Sequence, residues 1–282
     1  MLIALEIQKM YNKTFKEKIK ALFRHYTIEK NIKSCGDISV MNICYKQYHG
    51  DINFKKIYRC TVGESKTILC SDDISLKNTP FQRFNRNEFN LKMMENFVCD
   101  VLEQCTEQYD NLKISFFDPD AEFPLFAEKL LRYTSSLNVV SNMPRFYENE
   151  SERVMNRTGA SYIVSNSIER LAPCDILICP PKIKVHLPTT ADTIIFTSYK
   201  PLVSTKGIVI SRYYPEFPEK YLSIKPECTD GLYFLSALYT LCGKSGLGKL
   251  DTVKCGNEYF DFLKDDMIYY IMSNADAPAV TV

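Results

Sequence analysis

Residues 113–126 read KISFFDPDAEFPLF: an apolar run, an acidic loop holding a proline, and the start of an amphipathic segment. A strand buried on both faces reads as a continuous apolar run, so this stretch is the opening of a strand–turn–helix unit. The same grammar repeats downstream. LNVVS at 137–141, SYIVS at 161–165, DILIC at 175–179, TIIFT at 193–197 and GIVIS at 207–211 are equally short and apolar. Helices are expected between them at 123–136 and 149–158, the latter closed by Gly159 as a C-cap, with one helical turn at 167–171. Strands alternating with helices call for a parallel sheet covered on both faces. Residues 111–282 are therefore expected to form a doubly wound α/β domain, with further helices at 231–242 and 258–273.

Residues 1–110 follow another pattern. Leu2 to Ile7 alternates like a strand, and Thr14-x-x-Glu17 is a capping box ahead of Phe15, Ile19, Leu22, Phe23 and Tyr26, which predicts a helix over 14–29. The β-rich runs 38–48, 54–62 and 67–70, with Gly50-Asp51 and Gly63-Glu64 at the joints, read as an antiparallel meander. A polar loop containing Pro80 then leads to a long helix with Phe89, Met94, Phe97, Val98, Val101, Leu102 and Cys105 on one side. The expected fold class is α/β: an N-terminal α+β domain over 1–110 and a doubly wound parallel-sheet domain over 111–282.

Composition narrows the partners. The 35 basic and 34 acidic residues leave a net charge of +1, so no whole-chain field recruits nucleic acid or an anionic membrane. The basic excess is local, eight residues against three within 1–33, and reads as a solvated helix face. The longest apolar run, 232–242, contains Ser236 and Thr240 and falls short of the ~20 residues that span a bilayer. Eleven cysteines without a C-x-x-C pair read as reduced core thiols of a cytoplasmic protein, and His25, His49 and His186 have no metal-ligand spacing. Gly243, Gly248 and Lys249 sit at phosphate-loop spacing, but Leu250 replaces the magnesium-binding hydroxyl, so that segment reads as an ordinary loop. A small molecule or a protein partner is expected, without metal, nucleic acid or membrane.

Ligands of doubly wound sheets collect beyond the carboxyl ends of the strands, where strand order reverses. Those ends carry Asp118, Asp120, Ser141, Asn142, Arg145 and Ser165, the expected neighbours of a ligand. Over about residues 112–242 the layout resembles the cofactor domain of NAD(P)-binding Rossmann proteins, in the variety of shikimate dehydrogenases and glutamyl-tRNA reductases. The resemblance implies NADP, because Ser141, Asn142 and Arg145 match by type and place the residues that hold its 2′-phosphate. In place of the glycine fingerprint G-x-G-x-x-G, however, this chain has D-P-D-A-E-F, with three acids where a pyrophosphate needs donors. The expectation is a degenerate Rossmann-like domain in a non-catalytic protein that binds a small ligand or a partner, with no cofactor assigned. The alternative is an NAD(P)-dependent oxidoreductase with an atypical cofactor loop. Asp118-x-Asp120 followed by Ser141 also resembles haloacid-dehalogenase-type phosphatases, which implies Asp118 as nucleophile, Asp120 as acid/base and Ser141 as phosphate ligand.

Overall fold

The computed structural model describes residues 1–10, 14–15, 18–19, 23–61, 66–106, 112–134, 137–241 and 252–275. The Gly63-Glu64 joint, the 243–250 loop and the tail beyond 275 lie outside them. The chain divides into two compact units, Met1–Phe89 with Phe217–Gly248 and Asn90–Glu216 with Lys249–Val282. The division differs from the expected boundary at residue 110. The helix after Pro80 enters the second unit, and residues 217–248 return to the first.

In the first unit β1 (Leu2–Lys9), β2 (Tyr26–Cys35), β3 (Ile38–Gln47), β4 (Thr67–Cys70) and β5 (Gln82–Arg83) form a sheet in the order β2-β3-β1-β4-β5. Only β2 and β3 are antiparallel, turning through Gly36 at φ 60, a positive value suited to glycine. β1 runs parallel to β3 and β4, and β4 parallel to β5. The meander is therefore a single hairpin in an otherwise parallel sheet. Side chains alternate across such a sheet. Leu2 and Ala4 join Val40, Leu69, Phe234, Ala237 and Leu238 on one face, while Ile3 and Leu5 join Met41, Ile43, Tyr45 and Ile57 on the other.

Two expectations give way here. Residues 54–60 are a helix, α1 (Phe54–Cys60), not a strand: the Asn53 side chain accepts from Lys56 N at 3.1 Å, and Phe54, Ile57 and Tyr58 recur at helical spacing. Of the expected helix over 14–29, Phe15, Lys18, Ile19 and Phe23 are helical, but residues 26–29 belong to β2, registered against β3 through Tyr26↔Gln47.

The second unit opens three residues into α2 (Asn87–Thr106), whose Met93, Met94, Phe97, Val98, Val101 and Leu102 are buried. It continues with β6 (Ile114–Phe117), α3 (Pro124–Leu130), β7 (Leu137–Val140), α4 (Pro144–Thr158), β8 (Tyr162–Ser165), β9 (Ile176–Cys179), β10 (Ile194–Thr197) and β11 (Ile208–Ile210). The six strands are parallel in the order β11-β10-β9-β6-β7-β8. Counted from β6 this is 3-2-1-4-5-6, the Rossmann order, which reverses between β6 and β9. Phe97 of α2 meets Phe196 of β10 edge-on at 5.9 Å, so α2 covers one face. Leu171, Ile183 and Leu187 join Phe117, Leu177 and Ile195 in a second cluster. A small antiparallel sheet, β12 (Arg212–Pro215), β13 (Thr252–Gly256) and β14 (Asp261–Leu263), precedes α6 (Lys264–Ala275), and α5 (Gly231–Leu241) belongs to the first unit beside α1. β14 thus replaces the start of the closing helix expected over 258–273. No helix among the described residues is long and apolar enough to cross a membrane.

Candidate functional site

The corner after β6 is organised around Asp118. Its side chain is 0% exposed; Oδ1 accepts from Glu122 N at 3.1 Å, and Oδ2 accepts from Phe123 N at 2.7 Å and from the Tyr147 hydroxyl at 2.6 Å. Burial, then the Asp118 carboxylate, push the Tyr147 phenol far above its ordinary range, so it remains a donor. The loop makes its turn without glycine: Ala121 takes φ 54 and its N–H donates to Asp118 O at 3.3 Å. Backbone N–H groups at this corner are what a dinucleotide-binding fold offers to pyrophosphate. Here an internal carboxylate has taken two of them.

The other expected site residues divide into two groups. Ser141 is 1% exposed; its hydroxyl donates to Pro119 O at 3.3 Å and accepts from Met143 N at 3.1 Å, and its N–H donates to Ser165 O at 3.0 Å. The Ser165 hydroxyl accepts from Ser167 N at 3.0 Å. With Asp118, these two side chains hold the strand-end loops together. Asp120, Asn142 and Arg145 are exposed on the same rim, with Arg145 in the first turn of α4. The nucleophile role implied for Asp118 by the phosphatase resemblance does not survive, because no substrate reaches a fully buried carboxylate already held by three donors.

The first unit contains a cavity of about 660 Å³ beyond the carboxyl ends of the parallel strands β4 and β5. Its wall comes from Cys70 and Asp72 after β4, from Arg83 to Asn87 after β5, and from Cys228 to Asp230 with Tyr233 where α5 begins. Arg83 fixes the loop after β4, since its Nη2 donates to the carbonyls of Ser71 at 2.9 Å, Asp72 at 3.3 Å and Ile74. Its Nη1 lies 3.6 Å from the Asp72 carboxylate, and its Nε is buried without a partner. The opposite wall is held by Asp230, whose Oδ1 accepts from Tyr233 N at 2.7 Å and caps α5, and by the Tyr233 hydroxyl, which donates to Phe84 O at 3.0 Å. Burial pushes the Cys228 thiol up to about 11, and it raises Cys70 while the Arg83 guanidinium opposes that rise, so both thiols stay neutral at ordinary pH.

Sequence reasoning passed over this cavity. The signal was QRFNRN at 82–87, two arginines and two asparagines between elements, read only as a polar loop. Seeing 67–70 as a parallel strand would have placed its polar end at a ligand-binding position.

No family model and no curated protein matches the chain. Among known structures it is similar to a probable ornithine cyclodeaminase from Bordetella pertussis Tohama I, at 16% identity and a TM-score of 0.27 over 36% of this chain; it spans about a third, 34%, of that protein. It is also similar to quinate dehydrogenase from Corynebacterium glutamicum in complex with NAD, at 8% identity and a TM-score of 0.31, covering 71% of this chain and 80% of that one. L-tryptophan dehydrogenase from Nostoc punctiforme matches at 10% identity and a TM-score of 0.31, covering 96% and 79%. Likeness at this level leaves activity and ligand unassigned; the Rossmann order rests on the strand pairing itself.

Proposed function

We propose that this chain is a small-ligand-binding protein that seats its ligand in the cavity beyond β4 and β5, and that the corner after β6 is structural. The observation that carries this reading is the Asp118 carboxylate. It occupies the Glu122 and Phe123 N–H groups and brings a negative charge to the place where a pyrophosphate needs positive potential. The cavity supports the other half, since its volume of about 660 Å³ lies within the ~300–1,000 Å³ usual for small-molecule sites.

A second reading, an NAD(P)-dependent oxidoreductase with an atypical cofactor loop, has its own support. The sheet has the Rossmann order, and Asn142 and Arg145 are exposed after β7, where a 2′-phosphate would be met. In that case the ribose end of NADP anchors the cofactor, while the pyrophosphate stays clear of α3.

Thermal-shift titration with NAD, NADH, NADP and NADPH separates the two. A bound ligand at a hundred times its Kd stabilises the fold by about 2.7 kcal/mol, so a failure to bind is readable. The first reading expects no shift with any of the four. A shift with NADP or NADPH that disappears in Arg145→Ala establishes the second.

A further inference from the structure

We infer that the cavity beyond β4 and β5 takes a small organic anion, with Arg86 as the residue that pairs with its carboxylate or phosphate; this rests on the first reading above. The wall holds four charged side chains that matter, Asp72, Arg83, Arg86 and Asp230. Three are already engaged. Arg83 is committed to three carbonyls and lies 3.6 Å from Asp72, while Asp230 caps α5. Arg86 is exposed and has no side-chain partner among the described residues. Its guanidinium is therefore the unspent charge of the cavity.

The surroundings point the same way. Asp72 has 99% of its side chain exposed, so solvent screens its charge, whereas Arg83 is held against the wall with an unpartnered Nε. α5, eleven residues long, begins at the wall, but the Asp230 carboxylate that caps it offsets the positive potential of its amino end, which leaves the attraction to Arg86. Cys70 and Cys228 are neutral and contribute no opposing charge. A planar guanidinium matches carboxylate and phosphate oxygens with paired N–H donors, and a ligand in the cavity is partly removed from water, which strengthens that pairing.

The test is calorimetric and thermal-shift titration of the full chain with succinate, L-malate, L-glutamate, inorganic phosphate and glycerol 3-phosphate, with glycerol and putrescine as neutral and cationic probes. The inference expects saturable binding by at least one anion, weakened tenfold or more in Arg86→Ala, partly restored in Arg86→Lys, and blocked in Asn87→Trp, which fills the mouth from an exposed position. The carboxylate and phosphate arms identify which anion is preferred. Anion binding that Arg86→Ala leaves unchanged overturns the inference. Binding of glycerol or putrescine alone, blocked by Asn87→Trp, overturns the inference and keeps the cavity as a site. No binding by any probe overturns both the inference and the cavity reading.

Discussion

Tyr147, reaching in from α4, sets its hydroxyl 2.6 Å from Oδ2 of Asp118, and both residues are 0% exposed. A carboxylate removed from water without a cation costs several kcal/mol unless donors replace its hydration, and Tyr147 with the Glu122 and Phe123 amides supplies three. The residue that defines the degenerate loop thus fastens α4 to the end of β6.

Tyr147→Phe removes one charge-assisted hydrogen bond and leaves Oδ2 with a single donor. A loss of about 1.5–3 kcal/mol is expected, and Asp118→Asn should lose at least as much, since an amide turns one of its two acceptor positions into a donor facing N–H or O–H groups. Urea unfolding measures both; a Tyr147→Phe midpoint equal to that of the parent would show that the carboxylate needs no such latch.

Two small residues predict opposite signs. Ala121 sits at φ 54, a left-handed value costing an L residue roughly 1–2 kcal/mol, so Ala121→Gly should stabilise by up to about 1 kcal/mol after glycine's larger unfolded-state entropy is subtracted. Gly207 sits at φ 106, and a Cβ there would lie 2.4 Å from Thr193 O, a backbone atom on the strand-end turn. Gly207→Ala should cost about 3 kcal/mol, combining strain with a clash that cannot move away. Thermal melts of both variants read the contrast directly.

The second sheet was legible because its strands are buried on both faces and announce themselves as short apolar runs; ISFF, LNVV and IIFT needed only the general rule. The first sheet was not, since FKKIYRC has the aromatic and β-branched content of a strand and becomes a helix through Asn53 and the burial of Ile57. Nor could the sequence reveal that Phe234, Ala237 and Leu238 return to cover Leu2 and Ala4, because an apolar stripe does not name the sheet it will cover. At the corner, the absence of glycine after β6 was visible, but the third donor on Asp118 is Tyr147, 29 residues away, and so needed the fold.

Stability should fall on the alkaline side. Burial pushes Cys105, Cys174 and Cys228 up to about 11 from the ordinary 9.0. In each case the folded state keeps a proton that the unfolded chain releases, so this contribution is complete below pH 9 and is lost as pH rises from 9 through 11. The slope is up to about 1.4 kcal/mol per pH unit for each group. Urea midpoints in reducing buffer should decline across that window; a midpoint constant from pH 8 to 11 would mean that these thiols are solvated in the native state.

Asp230 lets stability and ligand charge be separated in one position. Its Oδ1 accepts from Tyr233 N at the start of α5, and asparagine caps a helix about as well as aspartate. Asp230→Asn should therefore unfold within about 0.5 kcal/mol of the parent, whereas Asp230→Ala should lose about 1 kcal/mol. Because Asp230 also lines the cavity with Arg86, removing its charge without disturbing the cap should tighten anion binding several-fold, and the gain should shrink as salt is raised. Titration of both variants with succinate and inorganic phosphate at two ionic strengths checks this. An Asp230→Asn protein of parental stability that binds both anions no more tightly than the parent would mean that the Asp230 charge does not act on the bound anion.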